Sequence, residues 1–240
     1  MESEIAQRLI TLNHQFYQKF SEEFSDTRMR LQPGVQKILD GLPPNADLLD
    51  LGCGNGELAR TLARNAHRGL YVGTDFSANL LEAARRDFPA GFPAAFHVLD
   101  LTAPDWKDQL PPHQFDFVFA FAALHHIPGR ELQESILQKI RLRLKPDGKF
   151  IHSNWQFLNS ERLKKRIQPW DEIGLTPIDV DEGDYLLDWR RGGYGLRFVH
   201  HFSPAELRSL AQKKGFSVEE SFYSDGKEGD LGLYQVWGVS

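Results

Sequence analysis

The sequence is poor in cysteine and has no long apolar run. A single Cys among 240 residues cannot form an internal disulfide and supplies no thiolate cluster for a metal ion, so a reducing compartment is expected. The chain begins Met1-Glu2-Ser3-Glu4, which is acidic where a secretory signal would be basic. No apolar run reaches membrane-spanning length. We therefore expect a cytoplasmic protein without membrane contact.

The sequence also lacks an excess of positive charge. It has 28 Lys and Arg against 33 Asp and Glu, which gives a formal net charge of -5. Because there is no general basic field, any contact with nucleic acid would have to depend on a local patch. The hydrophobic content of 41% and charged content of 25% are those of an ordinary soluble globule. A chain of this length forms one domain with room for an insertion.

The most informative stretch is an apolar strand that ends at Asp50-Leu51 and continues into glycines 52, 54 and 56. Gly52, Gly54 and Gly56 permit positive φ and let a ligand lie against bare backbone, and a helix N-terminus follows. A dinucleotide-binding loop would need a third glycine at the position of Glu57, which argues against NAD. A carboxylate at Asp50 would repel phosphates but attract the ammonium of an amino-acid-like ligand such as S-adenosylmethionine.

Two further strands end in acidic residues. Asp75 follows the second strand about 20 residues downstream of the glycine loop, the spacing expected of a group that binds ribose hydroxyls. We assign it to the cofactor site with the adjoining Phe76 and Ser77; alone, Asp75 or Ser77 would be read as a helix cap. The third strand ends in Asp100-Leu101. There, a carboxylate can accept a hydrogen bond from an adenine amine while Leu101 and Phe76 enclose the ring.

Strands and helices alternate from Leu48 onward, which predicts a mainly parallel sheet with helices on both faces. The expected elements are helices 4–20 and 33–42, strand 48–51, helix 57–65, strand 70–75, helix 78–88, strands 95–99 and 115–121, helix 131–144, strand 148–155, helix 204–214 and strands 216–222 and 233–239. A polar break is expected between the first two helices, and a turn at 145–148. The final hairpin would complete a seven-stranded sheet.

The fourth strand is almost wholly apolar and is followed by Leu124-His125-His126. We assign Phe121, at its end, to the cofactor site, and His126 to the active site, because open α/β sheets bind ligands at the carboxyl ends of their strands. Adjacent histidines splay apart and no carboxylate or thiolate has suitable spacing, so no metal site is expected.

Residues 156–199 break the alternation. They contain a basic segment with Lys164-Lys165-Arg166, an acidic segment, and the run Trp189-Arg190-Arg191-Gly192-Gly193-Tyr194. The interleaved aromatic and arginine residues favour a substrate lid over a solvated loop. The expected organisation is one domain, 1–240, with a helical cap (1–44), a cofactor-binding core (45–155), a lid insertion (156–200) and a C-terminal helix with strands (201–240).

Residues 47–155 resemble the class I S-adenosylmethionine-dependent methyltransferases, whose first motif reads acidic-x-Gly-x-Gly-x-Gly. With Phe24-Ser25-Asp26-Thr27-Arg28, Leu124-His125-His126 and Arg197-Phe198-Val199-His200 included, the chain resembles the tRNA wobble-uridine carboxymethyl methyltransferases, a family with a yeast member and the methyltransferase half of the animal AlkB-homologue enzyme. This chain departs from the family in carrying Gln32 where a Trp usually precedes the proline, and in being less basic.

The resemblance implies a doubly wound, Rossmann-like methyltransferase fold, S-adenosylmethionine as the cofactor, and tRNA as a partner. The eukaryotic relatives require a small activator protein, and the sequence leaves open whether this chain does. The methyl acceptor would be the carboxylate of 5-carboxymethyluridine, oriented by Arg190, Arg191 or Arg197 with His200 nearby. Arg28 would pair with the cofactor carboxylate.

Two other functions stay open from the sequence. The acidic net charge would suit a methyltransferase for a small carboxylic acid, phenol or amine, and a hydroxyl acceptor would need His125 or His126 as a base. A module that binds the cofactor without catalysis is the third reading. The intact glycine loop and lid speak against it.

Overall fold

The computed structural model describes residues 1–27, 30–86 and 88–240. Its helices within these ranges are α1 (Ser3–Lys19), α2 (Ser21–Asp26), α3 (Pro33–Asp40), α4 (Glu57–Arg64), α5 (Ala78–Arg85), α6 (Arg130–Arg143), α7 (Glu161–Lys164) and α8 (Pro204–Lys213). Its strands are β1 (Leu48–Leu51), β2 (Tyr71–Asp75), β3 (Ala94–Val98), β4 (Phe115–Phe121), β5 (Leu144–Trp155), β6 (Ile167–Gln168), β7 (Asp184–Trp189), β8 (Gly195–His200), β9 (Phe216–Ser224) and β10 (Gly232–Val239).

Seven of the strands form one sheet in the order β3-β2-β1-β4-β5-β10-β9. The neighbours from β3 to β5 are parallel, and β10 is antiparallel to both β5 and β9. Apolar side chains from the central strands are buried on both faces of the sheet, where two large clusters pack beneath the helices. The predicted seven-stranded, mostly parallel α/β fold is therefore confirmed, including the final hairpin.

Two predicted connections were wrong. Residues 24–26, expected in a polar break, belong to α2, in which Phe24 packs against the aromatic side chains of α1. The turn expected at 145–148 lies inside β5, whose pairing with β4 jumps from Phe115↔Leu144 to Phe117↔Lys149. The extra residues on β5 make this an irregular bulge, so the pairing resumes beyond it without ending the strand.

Residues 156–200 fold around a separate antiparallel sheet in the order β6-β7-β8. Helix α1 packs against β8, and the contact is both apolar and polar. The buried Asn13 side chain donates to the carbonyls of His126 and Phe198 (both 3.2 Å) and accepts from the Phe198 amide (2.8 Å). One α1 residue thus joins the helix to β8 and to the loop after β4.

None of the helices in the described ranges combines the length and the apolar composition that crossing a bilayer requires.

The three hydrogen bonds of Asn13 predict a large effect of its removal. Asn13→Leu preserves approximate volume but removes the hydrogen bonds that Asn13 makes with the Phe198 amide and the His126 carbonyl, at about 1–3 kcal/mol for each, whereas the Phe198 carbonyl keeps its contact with Nδ1 of His126. We expect urea denaturation to show a free energy of unfolding lower by at least ~2 kcal/mol. Gln18→Leu, an exposed position on the same helix, is the matched control. Equal stabilities of the two variants would contradict this account of α1 docking.

Candidate active site

A large cavity of about 450 Å³ lies at the carboxyl ends of the parallel strands. Its lining includes the loops after β1, β2, β3 and β4, the end of β5, and residues of α1, α2 and α3. The volume falls within the range of small-molecule and cofactor sites, roughly 300–1,000 Å³. The cavity is thus at the edge of the sheet where open α/β folds bind ligands.

The glycine loop, residues 52–56, forms the centre of the cavity wall at the sheet edge. Gly52 and Gly54 line the cavity with positive φ values of 79° and 55°. A Cβ built on Gly54 would meet no atom within 4 Å, which leaves room for a ligand against the backbone. The Gly52 and Cys53 amides donate to the carbonyl of Thr74 (2.8 and 2.9 Å), so the loop is held against the end of β2.

Asp50 and Asp75 are buried carboxylates on either side of this loop. Burial raises the pKa of Asp50 to about 7, although its Oδ2 accepts a hydrogen bond from the Tyr71 hydroxyl at 2.6 Å. Burial also raises the pKa of Asp75 to about 6, against the effect of hydrogen bonds from the amides of Ser77 (2.9 Å) and Gly54 (3.0 Å). Both groups would gain from a cationic or hydroxyl-bearing ligand that compensates their charge.

Two predicted cofactor residues do not line the cavity. Gly56 adopts φ 76° at the start of α4, where a Cβ would come within 2.8 Å of the Ala84 Cβ. Ser77 caps α5 through its Oγ, which accepts from the Leu80 amide. Gly56 and Ser77 are the N-terminal caps of α4 and α5. Neither residue is placed to touch a ligand.

Four other predicted cofactor residues do line the cavity: Phe76, Asp100, Leu101 and Phe121. Oδ1 of Asp100 accepts from the amide and the hydroxyl of Thr102, at 2.8 and 2.6 Å. These bonds fix the carboxylate and turn Oδ2 toward the side chain of His14, 3.5 Å away.

Arg197, on β8, also lines the cavity, and it is buried. Its guanidinium lies 5.3, 5.1 and 5.7 Å from the ring centres of Phe16, Trp155 and Trp189. Among the described residues no carboxylate lies within ion-pair distance of it, and its Nε has no hydrogen-bond partner. A buried, aromatic-lined cation of this kind is suited to an anionic ligand, above all a carboxylate.

His126 lies beside this guanidinium, joined to it through Tyr17. Nδ1 of His126 is 3.2 Å from the carbonyl of Phe198, which can only accept, so this nitrogen carries the proton of the neutral ring. Its Nε2 then accepts from the Tyr17 hydroxyl at 2.7 Å. The same hydroxyl is 3.5 Å from Nη1 of Arg197. Tyr17, His126 and Arg197 therefore form one polar group at the cavity wall.

The structure does not bring the other three predicted catalytic residues to the cavity. Arg190 and Arg191 follow β7, are more than half exposed, and pair with Asp188 (2.7 Å) and Asp26 (3.5 Å). Their position after the strand end directs both side chains to solvent, which does not support a role in orienting the substrate.

His200 is buried between Asp184 (2.6 Å) and Glu206 (3.1 Å), away from the cavity lining. Although burial opposes its charge, these two carboxylates raise the pKa of His200 to about 9. It is therefore charged at neutral pH and joins β8 to α8 in an ion-paired network, which gives it a structural rather than a catalytic position.

Arg28, predicted to meet the cofactor carboxylate, lies outside the described residues. Its assignment stays a prediction. No group of three or more His, Cys, Asp and Glu side chains suited to a metal ion occurs within the described ranges.

The residues present fit S-adenosylmethionine. Gly52 and Gly54 offer a bare backbone cradle, Asp50 and Asp75 offer buried carboxylates for an ammonium and for ribose hydroxyls, and Phe76 offers an aromatic face. When bound, this cofactor supplies an electrophilic methyl group.

Sequence reasoning assigned no role to His14 or Tyr17, although both line the cavity. These two polar aromatic residues are three apart on α1, among apolar residues of the same helix. A helix that closes a ligand site has polar side chains on its buried face, and apolar periodicity alone does not reveal which of them face the ligand.

The raised pKa of Asp50 predicts an unusual pH dependence of stability. The folded protein keeps a proton on Asp50 that the unfolded chain loses near pH 3.8, so the free energy of unfolding should fall as the pH rises from about 4 to about 7. Asp50→Asn, which can still accept from Tyr71, should flatten this fall and be the more stable form at pH 8 without ligand. Urea denaturation at pH 5 and pH 8 measures the free energy of unfolding of both proteins. An equal change in this free energy between the two pH values for both proteins would contradict the prediction.

Comparison with known proteins agrees with this geometry. A model described as a methyltransferase domain matches residues 49–150. The chain is 29% identical over 222 residues to a tRNA (carboxymethyluridine(34)-5-O)-methyltransferase of Schizosaccharomyces pombe, covering 88% of this chain and 90% of that protein. It is 31% identical over 156 residues to the enzyme of that description, ALKBH8, from Macaca fascicularis, covering 63% of this chain and 21% of that protein.

A relative with another acceptor is also similar. The 2-phytyl-1,4-naphtoquinone methyltransferase of Trichormus variabilis is 34% identical over 137 residues, covering 54% of this chain and 55% of that protein.

Solved structures share the fold. A SAM-dependent methyltransferase from Methanosarcina mazei superposes with a TM-score of 0.65 at 22% identity, covering 87% of this chain and 98% of that one. Magnesium protoporphyrin IX methyltransferase from Synechocystis, with SAH bound, gives 0.57 at 20% identity, covering 91% and 82%. The glycine loop, the carboxylates at the strand ends and the cavity agree with the similar proteins. Together they identify the chain as a class I S-adenosylmethionine-dependent methyltransferase that resembles the tRNA carboxymethyluridine methyltransferases.

Proposed function

We propose that this enzyme transfers a methyl group to a carboxylate on a modified wobble uridine of tRNA, forming a methyl ester. The observation that carries the proposal is the Arg197 guanidinium, which is buried in the cavity wall among three aromatic rings and has no ion-paired carboxylate among the described residues. The tRNA carboxymethyluridine methyltransferases among the relatives support the same acceptor class.

The site chemistry suits a carboxylate acceptor. A carboxylate is already ionised at neutral pH, so the enzyme needs no general base. Its task is to hold the two reactants in line, and such positioning can lower the activation free energy by roughly 7–11 kcal/mol. Arg197 would bind the carboxylate, and the hydroxyl of Tyr17, fixed by His126, would help to orient it. The aromatic rings of Trp155 and Trp189 would keep water away from the reacting charges.

RNA contact would depend on a local basic segment, because the whole chain is acidic. Lys164 and Lys165 follow one another at the end of α7 and are exposed, although Lys164 also pairs with Glu161 at 2.6 Å. Arg166 is next in the chain, 3.8 Å from Asp188. We propose that these side chains meet phosphates.

A small-molecule acceptor is the second candidate. The Tyr17–His126 hydrogen bond favours it, because a neutral imidazole in contact with a hydroxyl could serve as the base for a phenol or alcohol. The quinone-methylating relative from Trichormus variabilis points in the same direction.

The acceptor can be tested by methylating total tRNA with labelled S-adenosylmethionine. The RNA is then digested with nuclease and treated with mild alkali. We expect label on a nucleoside that alkali releases as methanol, because an ester hydrolyses under these conditions and an N-methyl or C-methyl group does not. Alkali-stable label, or label only in a parallel small-metabolite extract, would remove the wobble-uridine proposal.

Arg197→Met should raise the KM for the acceptor with little change in cofactor affinity. Loss of a charge-assisted hydrogen bond of about 1.5–3 kcal/mol corresponds to a loss of kcat/KM of roughly 10- to 150-fold. Arg191→Ala is the matched control, since Arg191 is exposed and does not line the cavity. An Arg197→Met enzyme with the kcat/KM of the control would contradict the carboxylate role.

Salt dependence tests the RNA surface separately. Replacing Lys164 and Lys165 together by Ala should reduce the slope of log affinity against log salt by about 1–2, because each phosphate contact releases a counterion. Affinity for tRNA measured across a salt series gives the slope. An unchanged slope would place the phosphate contacts elsewhere on the protein.

A further inference from the structure

The side chain of His14, in α1, contacts two residues of the cavity wall. Its ring stacks on Phe76 with 4.5 Å between centroids and 23° between planes. Its Nε2 is 3.5 Å from Oδ2 of Asp100. The other oxygen of Asp100 accepts from Thr102, so His14 meets the oxygen that is turned into the cavity. His14 itself is partly buried and lines the cavity.

The order of the strands places these contacts at one end of the site. Asp100 follows β3, the edge strand, and Phe76 follows its neighbour β2. The glycine loop follows β1, the next strand in the sheet, so the three groups lie along a row with about 4.8 Å between strands. A ligand lying along the row, with its middle at the glycine loop, would present one end to His14, Phe76 and Asp100.

The chemistry at this end fits a flat heteroaromatic ring with an exocyclic amine. Phe76 and His14 offer aromatic faces or edges, and Oδ2 of Asp100 offers an acceptor for an N–H group. The adenine of the cofactor has both features. The cavity keeps its volume of about 450 Å³ with the His14 ring in place, so the ring is part of a wall and does not fill the pocket.

We propose that His14 is a cofactor-binding residue whose imidazole forms the cap-side wall of the adenosine pocket, beside the Asp100 oxygen that would accept from the adenine amine. The inference does not depend on the identity of the methyl acceptor. It also gives α1 two roles one helical turn apart, since Tyr17, three residues later, contacts His126 and Phe76. Helix α1 would thus contact the adenosine of the cofactor through His14 and the methyl acceptor through Tyr17.

Calorimetric titration of two probes tests the proposal. S-adenosylhomocysteine carries both the adenosine and the amino-acid end, whereas 5′-methylthioadenosine carries the adenosine without the amino acid. His14→Ala should weaken the binding of both probes by the same factor, about 3- to 10-fold, as expected for loss of one aromatic contact. His14→Phe, which keeps a ring over Phe76, should bind both probes more tightly than His14→Ala does.

Gln15→Ala, an exposed neighbour on the same helix, is the control and should bind both probes as the unmodified protein does. Unchanged or tighter binding by His14→Ala would overturn the proposal, the latter because the ring would then be competing with adenine. A loss confined to S-adenosylhomocysteine would also overturn it, since His14 would be acting at the amino-acid end. So would a His14→Phe protein that binds no better than His14→Ala, because the ring would then make no contribution.

Discussion

Two buried carboxylates beside a glycine loop are the constraint on which the rest of this structure depends. Asp50 and Asp75 end neighbouring parallel strands, so the fold brings them to one edge of the sheet. Their burial raises both pKa values toward neutrality, which costs stability when they ionise. A fold selected for stability alone would not keep two such groups around bare glycine backbone. A cationic, hydroxyl-bearing ligand resolves the conflict, and S-adenosylmethionine has both features.

The second requirement is closure, which α1 provides. Asn13 fixes the helix to β8 and to the loop after β4, and His14 and Tyr17 lie on the wall of the cavity. The small sheet β6-β7-β8 packs on the same helix. Among the described residues of 156–200, Arg197 alone lines the cavity. The insertion therefore contributes to the site mainly by holding α1 and by placing one guanidinium.

Much of this architecture could be predicted from the sequence, because the signals are local. Apolar strands, the glycine spacing and the acidic strand ends give the sheet, the loop and most of the cofactor wall without knowledge of distant contacts. The bulge in β5 could not be predicted in this way, since Lys145-Pro146-Asp147-Gly148 has the composition of a turn and only pairing with β4 continues the strand across it.

The roles of residues in the insertion, 156–200, could not be predicted from the sequence, because they too depend on non-local contacts. The sequence offers four basic candidates for the acceptor site: Arg190, Arg191, Arg197 and His200. Their roles differ only through the residues that they contact in the fold. The buried Asp188 and the exposed Asp26 pair with the first two, Asp184 and Glu206 enclose His200, and aromatic rings surround Arg197. Apart from Asp188, two residues before Arg190, these partners come from other elements of the fold, so no spacing rule distinguishes the four residues.

The proton balance of cofactor binding tests the central claim most directly. Titration with S-adenosylhomocysteine near pH 6.5, in buffers of different ionisation enthalpy, measures the protons exchanged on binding. If Asp50 and Asp75 are partly protonated in the free protein, with pKa values of about 7 and about 6, and ionise against the ligand, binding must release protons. The release should fade near pH 8, where both groups are already ionised. Binding at pH 6.5 with no proton exchange, or with uptake, would contradict the account.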